Sequence, residues 1–499
     1  MKISIDRWLD HWADHSPDKV GIEFEDQRLT YSDLTDAVGQ MTSTLVGVGV
    51  GRGDRVAFLG GDGPLPLVLL FACARLGAVY VPLNTRLVPA ELSWIIEHAD
   101  PAVVLTDVDY AEVLAESVAE LTRVCAVLDG LPTAGLDSLE LSAQSVTETK
   151  GSDGPALMCY TSGTTGRPKG AILTHEALLA NATNVHAMMD MTSHDRVLNT
   201  MPLFHVGGLN VHSLPTLAAG GTIVLHPRFD PARVLAELTA GDVDLVTLLP
   251  PMLVAVLALP AFTDADLTSL RAVNTGAAMV PTPLIEAIHA KGVPVTQIYG
   301  LTETATLATC LRREHAYERI GSCGKGALTC EVMLVDDEGQ QVPTGSPGEI
   351  VARGPNVLHE YWRDTDATEA AFLDGGWFRT GDVATADEDG FLYMQDRKKD
   401  MIISGGENIY PAELEELLVG VPGLAEAAVI GRPDNTWGEV PLVVAVRQPE
   451  SSTTDEDVLA VFVDRVARFK RPKAVTWVGS LPRTAMGKVQ KHVLRNDLT

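Results

Sequence analysis

The amino-acid sequence predicts an α/β protein in which a large N-terminal domain is hinged to a small α+β C-terminal domain. Three observations lead to this prediction. Short apolar runs alternate with amphipathic stretches as far as about residue 395. Between residues 332 and 393 the runs shorten and acidic turns separate them. A basic cluster at 396–400 is then followed by a further set of strands and helices. The length of 499 residues agrees, because it exceeds what one hydrophobic core normally organises.

The runs at 55–59, 102–105, 222–225 and 243–246 are apolar along most of their length. Strands of this kind, with helical stretches between them, indicate parallel sheets that helices cover on both faces. We therefore expect two subdomains with sheets of parallel type in the large domain. The acidic turns of 332–393 predict a third subdomain, small and antiparallel or barrel-like.

The cluster Asp396-Arg397-Lys398-Lys399-Asp400 marks the expected boundary. The predicted units are an N-terminal domain of residues 1–395, a hinge at 396–400 and a mobile C-terminal domain at 401–499. A helix is expected around 457–462.

The charge balance limits the classes of partner. With 38 basic and 66 acidic residues, the formal net charge is −28, which argues against nucleic acid or an anionic membrane as a partner. The six cysteines lack metal-ligand spacing, and the N-terminus has no apolar signal segment. The most hydrophobic stretch, 246–262, contains Pro250 and Pro251 and falls short of the ~20 apolar residues of a membrane span. We expect a cytoplasmic protein, with a buried strand and a core helix in that stretch.

A glycine- and hydroxyl-rich loop follows the apolar run 156–160 and leads into a second apolar run. Glycine lets consecutive backbone N–H groups approach an anion closely, and Lys169 adds a positive charge. The flanking runs predict the tip of a strand–loop–strand hairpin that holds a polyphosphate. The spacing fails the Walker pattern, because Lys169 follows Pro168 and precedes Gly170. A surface turn without a ligand is the alternative. The loop residues proposed to bind phosphate are Thr161, Ser162, Gly163, Thr164, Thr165, Gly166 and Lys169.

Further motifs follow this loop in a fixed order. They are Gly276-Ala277-Ala278, Tyr299-Gly300-Leu301-Thr302-Glu303, Thr380-Gly381-Asp382, the cluster at 396–400, and Pro482-Arg483-Thr484-Ala485-Met486-Gly487-Lys488. Together with the loop they resemble the adenylate-forming superfamily of acyl-CoA synthetases, peptide-synthetase adenylation domains and luciferases. The resemblance spans nearly the whole chain.

The resemblance implies ATP, Mg²⁺ and coenzyme A as cofactor and substrates, and it implies a nucleotide site. Glu303 would bind Mg²⁺, and Thr302 would donate to the α-phosphate of ATP. Tyr299, with Gly300 after it, would stack on adenine in a pocket lined by Gly276, Ala277 and Ala278. Asp382 and Arg397 would hold the ribose. These residue types suit the chemistry, because a carboxylate that attacks a phosphate needs positive charge where negative charge develops.

The C-terminal domain would supply groups for both half-reactions. Lys488 would contact the acid's carboxylate and the nucleotide during adenylation, and Lys399 would be the hinge about which the domain turns for the thiol step. Gly405 and Gly406 would then line the thiol tunnel. Four residues are the candidates for holding the coenzyme A nucleotide: Trp437, Phe469, Arg471 and Lys473. A basic helix-end cap is the alternative reading of the cluster at 469–473.

The segment 202–210, called the acyl strip below, should begin the acyl pocket. Its predicted lining is Phe204, His205, Val206, Gly207 and Gly208, together with Gly276 and Ala305. His205 matches a position that shifts between the two half-reactions in the family. Thr304, Thr306 and Asn210 are candidates for contacts to ring substituents.

The strip lacks an Asp between residues 201 and 214, which argues against an amino acid substrate. It also lacks Arg and Lys, as do 274–280 and 299–310, which argues against diacids that need a second charge clamp. The strip 204–211 and the segment 404–411 resemble feruloyl-CoA synthetases most.

The predicted activity is that of an ATP-dependent carboxylic acid–CoA ligase acting on a phenylpropenoic or other aryl acid, with a medium-chain fatty acid as the alternative. An adenylation module that loads a carrier protein is a second alternative, and an inactive binding protein is a third. The third is weakened because Lys488, Glu303 and Asp382 are all present. The expected partners are the small acid, ATP and coenzyme A, without nucleic acid or a membrane span, and a homodimer is left open.

Overall fold

The structure is a computed structural model. It describes residues 4–118, 124–128, 154–161, 168–397, 400–404, 407–434, 437–463, 465–484 and 487–498. The predictions for Ser162, Gly163, Thr164, Thr165 and Gly166, for the hinge residue Lys399, and for Gly405 and Gly406 therefore lie outside the described residues.

The β-strands of the described chain are numbered in chain order. They are β1 (Val20–Phe24), β2 (Gln27–Thr30), β3 (Arg55–Leu59), β4 (Val79–Pro82), β5 (Val103–Asp107), β6 (Val124–Leu128), β7 (Pro155–Thr161), β8 (Lys169–Thr174), β9 (Arg196–Asn199), β10 (Thr222–Leu225), β11 (Leu245–Thr247), β12 (Ala272–Gly276), β13 (Val295–Tyr299), β14 (Thr309–Cys310), β15 (Lys325–Gly326), β16 (Glu331–Val335), β17 (Gly348–Arg353), β18 (Glu360–Tyr361), β19 (Phe372–Leu373), β20 (Trp377–Ala386), β21 (Leu392–Arg397), β22 (Ile402–Ser404), β23 (Glu407–Ile409), β24 (Leu424–Asp434), β25 (Gly438–Arg447) and β26 (Ala474–Trp477).

The α-helices are numbered in the same way. They are α1 (Trp8–His15), α2 (Tyr31–Gly47), α3 (Pro64–Leu76), α4 (Pro89–Ala99), α5 (Ala111–Ser117), α6 (His175–Met189), α7 (Leu214–Ala219), α8 (Pro231–Ala240), α9 (Pro250–Leu257), α10 (Thr282–His289), α11 (Thr365–Ala370), α12 (Pro411–Leu418), α13 (Asp455–Ala460) and α14 (Lys491–Leu498).

The largest sheet has nine strands in the order β15-β14-β13-β12-β11-β9-β10-β1-β2. Its centre is parallel, whereas β14, β15 and β2 pair antiparallel at the two edges. The central strands are buried along their length, as the apolar runs predicted. Because these strands run in one direction, their carboxyl ends meet at one edge of the sheet, where ligand sites of α/β folds are usually found.

A second sheet has seven strands in the order β18-β8-β7-β4-β3-β5-β6. Strands β7 and β8 form an antiparallel hairpin in which Thr161 pairs with Lys169, so the predicted strand–loop–strand arrangement is confirmed. Short strand β18 adds to the hairpin, with Tyr361 opposite Ala171. Residues far apart in sequence therefore meet beside the predicted phosphate loop.

The third sheet is antiparallel and contains β16, β17, β20, β19 and β21. It confirms the small antiparallel subdomain predicted for 332–393. Asp382 of β20 lies opposite Arg397 of β21 in the register.

A fourth sheet, β23-β22-β25-β24 with β26 beside β25, belongs to the C-terminal segment. It has its own hydrophobic core, which includes Ile402, Leu414, Val443 and Phe462. Helix α13 forms where the sequence predicts a helix, and its capping box explains where it starts: Thr454 accepts from the backbone of Asp457, whose carboxylate accepts in return. The predicted fold class is thus confirmed.

The hydrophobic stretch at 246–262 contains most of buried strand β11, as expected, and then α9. The prediction of a core helix was wrong, because α9 lies at the surface: it buries only Leu253 and Val256, and Val254 is 52% exposed. Within the described ranges, no helix is long and apolar enough to cross a membrane. The five cysteines whose side chains are described are buried free thiols.

Candidate active site

The candidate site is built where the parallel strands β12 and β13 end. Gly276 ends β12 and lies beside Ile298 of β13 in the register. The segments that follow the two strands, with Ala277 and Ala278 on one side and Gly300 on the other, therefore start at the same edge of the sheet. Ala277 has a φ of 64°, an uncommon conformation for a residue with a side chain, and such residues cluster at ligand sites.

The turn after β13 packs its backbone tightly. A Cβ atom at Gly300 would collide with the carbonyl oxygen of Thr306, so only glycine fits there. A short 3₁₀ helix, Thr302–Thr304, follows and buries Thr302 and Glu303 at 7% and 8% exposure. The sequence motif thus places a hydroxyl and a carboxylate on one rigid turn at the sheet edge.

The carboxylate of Glu303 lies beside the hairpin of the predicted phosphate loop. Its Oε1 accepts hydrogen bonds from Thr161 Oγ1 at 3.3 Å and from the Tyr361 hydroxyl at 3.0 Å. Burial, followed by the Glu303 charge, raises the pKa of Tyr361, which therefore stays a neutral donor. Lys169 Nζ lies 5.0 Å from the centroid of the Tyr361 ring. The structure therefore brings Thr161, Lys169 and Glu303 together.

This carboxylate fits one protein ligand of Mg²⁺. The described part of the chain contains no group of three or more His, Cys, Asp or Glu residues that could hold a metal by itself. Mg²⁺ is commonly held by one or two carboxylates together with substrate phosphates and water. A buried Glu303 next to the hairpin of the predicted phosphate loop matches that donor set.

Asp382 and Tyr299 meet although they belong to different sheets. The Tyr299 hydroxyl donates to Asp382 Oδ2 at 2.9 Å. Burial raises the pKa of Tyr299 first, and the charge of Asp382 adds to the effect. The backbone of Arg397 pairs with Asp382, while the side chain of Arg397 is outside the described residues. A phenol ring and a carboxylate thus lie side by side.

The acyl strip runs into a π-helix, Gly207–Ser213, a form that is rare and frequent at functional sites. The backbone N–H of Gly207 donates to His205 Nδ1 at 3.0 Å, which leaves Nε2 as the protonated nitrogen of the neutral ring. Burial lowers the pKa of His205 to about 4, so the ring is neutral at pH 7. A Cβ atom at Gly208 would collide with the carbonyl of Pro202, so this glycine is required by backbone packing.

The three polar candidates for ring contacts are bonded within the protein. The Thr304 hydroxyl accepts from the backbone of Leu301, and the Thr306 hydroxyl donates to the carbonyl of Val206 at 3.2 Å. Asn210 donates through Nδ2 to the carbonyl of Ala305 at 3.2 Å. The Thr306 and Asn210 bonds hold the loop against the acyl strip.

The turn that carries Lys488 faces the large domain. Thr484 organises it, since its hydroxyl accepts from Lys488 N at 3.2 Å and its backbone N–H donates to Lys488 O at 2.8 Å. A Cβ atom at Gly487 would lie 3.1 Å from Pro251, which follows β11 at the start of α9. The half-buried Lys488, which follows Gly487 directly, therefore lies near the sheet edge that carries the predicted nucleotide motifs.

The candidates for coenzyme A lie on the C-terminal sheet. Trp437 is 53% exposed directly before β25, and Phe469 is 38% exposed in a short 3₁₀ helix before β26. Lys473 N donates to the carbonyl of Pro441, which places Lys473 beside β25. Arg471 donates through Nε to the carbonyl of Val466 at 3.3 Å. Phe469 therefore lies within a few residues of Arg471 and Lys473 in one exposed segment, while Trp437 is exposed at the start of β25.

Comparison with known proteins agrees with this geometry. A family model described as "AMP-binding enzyme" matches residues 9–362, and one described as "AMP-binding enzyme C-terminal domain" matches residues 413–488. The chain belongs to the AMP-binding enzyme family. It is an AMP-forming acyl-CoA synthetase, an ATP-dependent acid–CoA ligase that works through an acyl-AMP intermediate.

Two curated relatives of this AMP-binding enzyme are similar over nearly their full length. Indoleacetate–CoA ligase of Aromatoleum aromaticum is 43% identical over 99% of this chain and 98% of its own. Feruloyl-CoA synthase of an Amycolatopsis species is 42% identical over 98% of each chain. Among solved structures, o-succinylbenzoate-CoA synthetase of Bacillus subtilis in complex with ATP and magnesium ion has a TM-score of 0.87 and 32% identity, with 99% of each chain covered.

Sequence reasoning missed three residues that contact candidate site residues of this AMP-binding enzyme, because none of the motifs named above contains them. Tyr361 reaches Glu303 through the pairing of β18 with β8. Asp62 accepts from Leu203 N at 2.6 Å at the start of the acyl strip. The Arg86 guanidinium carbon lies 5.8 Å from the centroid of the Phe204 ring.

Asp62 and Arg86 bring charge to the acyl strip from other segments. Burial raises the pKa of Asp62 to about 6, against the opposing effects of the Leu203 hydrogen bond and of Arg86. The absence of basic residues within the strip itself is therefore an incomplete argument against diacids. The only sequence signal was the position of both residues in the loops that follow β3 and β4.

Proposed function

We propose that this acyl-CoA synthetase activates an aryl acid, of the phenylpropenoic type or with another aryl group. The observation that carries the proposal is the similarity of 43% and 42%, over nearly complete chains, to two ligases named for indoleacetate and ferulate. Both acids join an aromatic ring to a carboxylate through a short linker. The neutral His205 and the apolar walls at Val206 and Ala305 support an uncharged substrate body.

In the first half-reaction, an oxygen of the acid's carboxylate attacks the α-phosphorus of ATP. The bond to pyrophosphate breaks, and pyrophosphate leaves. Backbone and hydroxyl donors of the loop 161–169, with the charge of Lys169, would hold the β- and γ-phosphates. Thr302 would donate to the α-phosphate. Mg²⁺ bound at Glu303 would neutralise charge on the phosphate oxygens.

The adenosine would lie across the ends of β12 and β13. Tyr299 would offer its ring to adenine, and the segment 276–278 would line the other side. Asp382 would accept hydrogen bonds from the ribose hydroxyls, since its carboxylate is held in place by the Tyr299 hydroxyl. Arg397, opposite Asp382 in the register, would hold the same sugar.

Lys488 would bridge the acid and the nucleotide during adenylation, because its turn packs against Pro251 at the same sheet edge. In the second half-reaction, the sulfur of coenzyme A attacks the acyl carbon and AMP leaves. For this step the domain 401–499 would turn about Lys399, so that the segment around Gly405 and Gly406 lines the thiol path.

Free coenzyme A is the proposed acceptor, in preference to a carrier protein. The exposed Trp437 and Phe469 rings and the charges of Arg471 and Lys473 offer a surface for the adenine and phosphates of coenzyme A. A carrier arm lacks that nucleotide. This feature distinguishes the two acceptors without reference to the acid.

A competition assay tests the proposal. The protein is supplied with ATP, Mg²⁺, coenzyme A and an equimolar mixture of indoleacetate, ferulate, coumarate, benzoate, C6–C10 fatty acids, malonate and amino acids, and the thioesters are identified by mass spectrometry. An aryl thioester as the dominant product supports the proposal. A dominant fatty acyl thioester would replace the substrate class, and acyl-AMP without a thioester would point to a protein-bound thiol.

A further inference from the structure

The turn that carries Thr302 and Glu303 is held from three sides by buried asparagines. Asn181 of α6 accepts from Leu307 N at 3.1 Å through Oδ1. Asn356 donates through Nδ2 to the carbonyls of Thr304 at 3.0 Å and Leu307 at 3.1 Å. Asn210 of the π-helix donates to the carbonyl of Ala305 at 3.2 Å. All three asparagines are 1% exposed or less.

The segment they hold is conformationally unfavourable. Ala305 has a φ of 50° and Thr306 a φ of 105°, both in the region that residues with a Cβ atom rarely adopt. Such a conformation persists only where the surroundings over-determine it. Hydrogen bonds from three separate elements, all to residues 304–307, are such surroundings.

The same bonds connect this segment to the acyl strip. Asn210 lies in the π-helix that follows His205, and it is also bonded through its carbonyl to Asn181 Nδ2 at 2.7 Å. The Thr306 hydroxyl donates to the carbonyl of Val206. The wall of the acyl pocket and the turn of Glu303 are therefore parts of one hydrogen-bonded unit.

We propose that Asn181, Asn210 and Asn356 are positioning residues for adenylation. They hold the strained 304–307 segment so that Thr302 and Glu303 keep their places relative to the acyl strip. The inference rests on the roles proposed above for Thr302 and Glu303. We call the hydrogen bonds from these three asparagines to residues 304–307 the clamp. Loss of one of them would let the turn relax. A displacement of catalytic groups by about 1 Å is enough to lower the rate roughly 100-fold.

A fourth buried asparagine provides a matched control. Asn184 lies three residues after Asn181 on α6 and is also fully buried. Its Oδ1 accepts from the backbone and the hydroxyl of Thr329, at 2.7 and 2.9 Å, and so holds a segment outside the turn. Asn181→Ala and Asn184→Ala should lose similar stability, but only the first disturbs the turn.

The test compares Asn181→Ala, Asn356→Ala and Asn184→Ala with the wild type, using the acid that the wild type prefers. Melting temperature, the kcat and KM of ATP–pyrophosphate exchange, and thioester formation from supplied acyl-AMP are measured. We expect kcat of exchange to fall about 10- to 100-fold in the first two variants, with smaller changes in KM and in thioester formation. Asn184→Ala should have a lower melting temperature than the wild type, while its kcat of exchange stays within about twofold of the wild-type value. Equal rate losses in all three variants, or none in Asn181→Ala and Asn356→Ala, would overturn the proposal.

Thr306→Gly provides a second variant in case the asparagine variants fold poorly. Glycine accepts the φ of 105°, so backbone strain falls, while the bond to Val206 is lost. We expect an unchanged or higher melting temperature together with a lower kcat of exchange. An unchanged or higher kcat, in parallel with the melting temperature, would contradict the proposal. The role of Glu303 is tested separately by the Mg²⁺ dependence of Glu303→Gln. If Glu303 does not bind Mg²⁺, that titration does not shift. If the asparagines do not position the turn, the kcat values of Asn181→Ala and Asn356→Ala do not fall.

Discussion

The hydroxyl of Tyr299 donates a 2.9 Å hydrogen bond to Oδ2 of Asp382. This contact joins the end of β13 in the nine-stranded sheet to β20 in the third sheet, the curled antiparallel sheet, across 83 positions of sequence. Asp382 is only 5% exposed, and a buried carboxylate needs a donor to hold it. The contact therefore fixes the two motifs that would bind adenine and ribose relative to each other.

Tyr299→Phe tests this relationship, since it keeps the ring and removes the donor. We expect the KM for ATP to rise about 3- to 10-fold, because the charged carboxylate of Asp382 loses the hydrogen-bond donor that fixes its orientation. Steady-state pyrophosphate release measures the change. Tyr393→Phe, which removes a longer bond to Asp387 in the same curled sheet, is the control and should leave KM unchanged. An unchanged KM in Tyr299→Phe would show that the contact does not prepare the ribose site.

Glu303→Gln tests the proposed metal site. The amide oxygen can still accept from Thr161 and Tyr361, so the turn should persist while the negative charge is lost. We expect the Mg²⁺ concentration for half-maximal adenylation to rise about tenfold or more. Glu331→Gln is the control, since the Glu331 side chain is 65% exposed and pairs with Arg353 at the surface. A Mg²⁺ titration that does not shift would remove Glu303 from the metal site.

Asp62→Asn should stabilise the protein at high pH. Burial raises the pKa of Asp62 from its ordinary value of 3.8 to about 6, so folding favours the protonated carboxyl. The protonated carboxyl contributes its full stability below pH 4, and this contribution is lost as pH rises through 6. The free energy of unfolding lost in this way is at most about 3 kcal/mol. Thermal melts at pH 8 and pH 4 should show a larger gain for the variant at pH 8. The exposed Asp26→Asn serves as control, and an equal gain at both pH values would contradict the account.

His205 should make the protein sensitive to acid. Burial lowers its pKa from 6.5 to about 4, so the neutral ring is favoured by folding. This contribution to stability is complete above pH 6.5 and is lost as pH falls toward 4. In His205→Asn the new amide oxygen can still accept from Gly207 N. Between pH 6.5 and 4.5, the melting temperature of this variant should fall less than that of the wild type. His194→Asn, at an exposed site, should follow the wild type. Parallel curves for His205→Asn and the wild type would show that the ring is not desolvated.

The sequence was sufficient where the chemistry depends on adjacent residues. The alternation of apolar runs predicted the sheets, and the flanks of the phosphate loop predicted the β7–β8 hairpin that places Thr161 opposite Lys169. Motif order predicted that Glu303 and Asp382 belong to a nucleotide site, which stays a prediction, and the family comparison confirms the enzyme class.

It was insufficient where a role depends on long-range packing. Tyr361 contacts Glu303 only because a two-residue strand pairs with β8, and no pattern in the sequence marks that pairing. Asn181 and Asn356 contact the Glu303 turn from positions about 125 before and 50 after it. Asparagine in a helix or a loop is common, so only the fold shows that these amides share one target.

Lys488→Ala tests whether Lys488 acts in adenylation and not in thioester formation. Single-turnover formation of acyl-AMP from ATP and the preferred acid is measured beside thioester formation from supplied acyl-AMP and coenzyme A. Lys491→Ala, three residues further along and paired with Glu415, is the control. We expect Lys488→Ala to slow adenylation about 100- to 1,000-fold and to leave thioester formation within about threefold of the wild type. Equal retention or equal loss of both half-reactions would contradict this expectation.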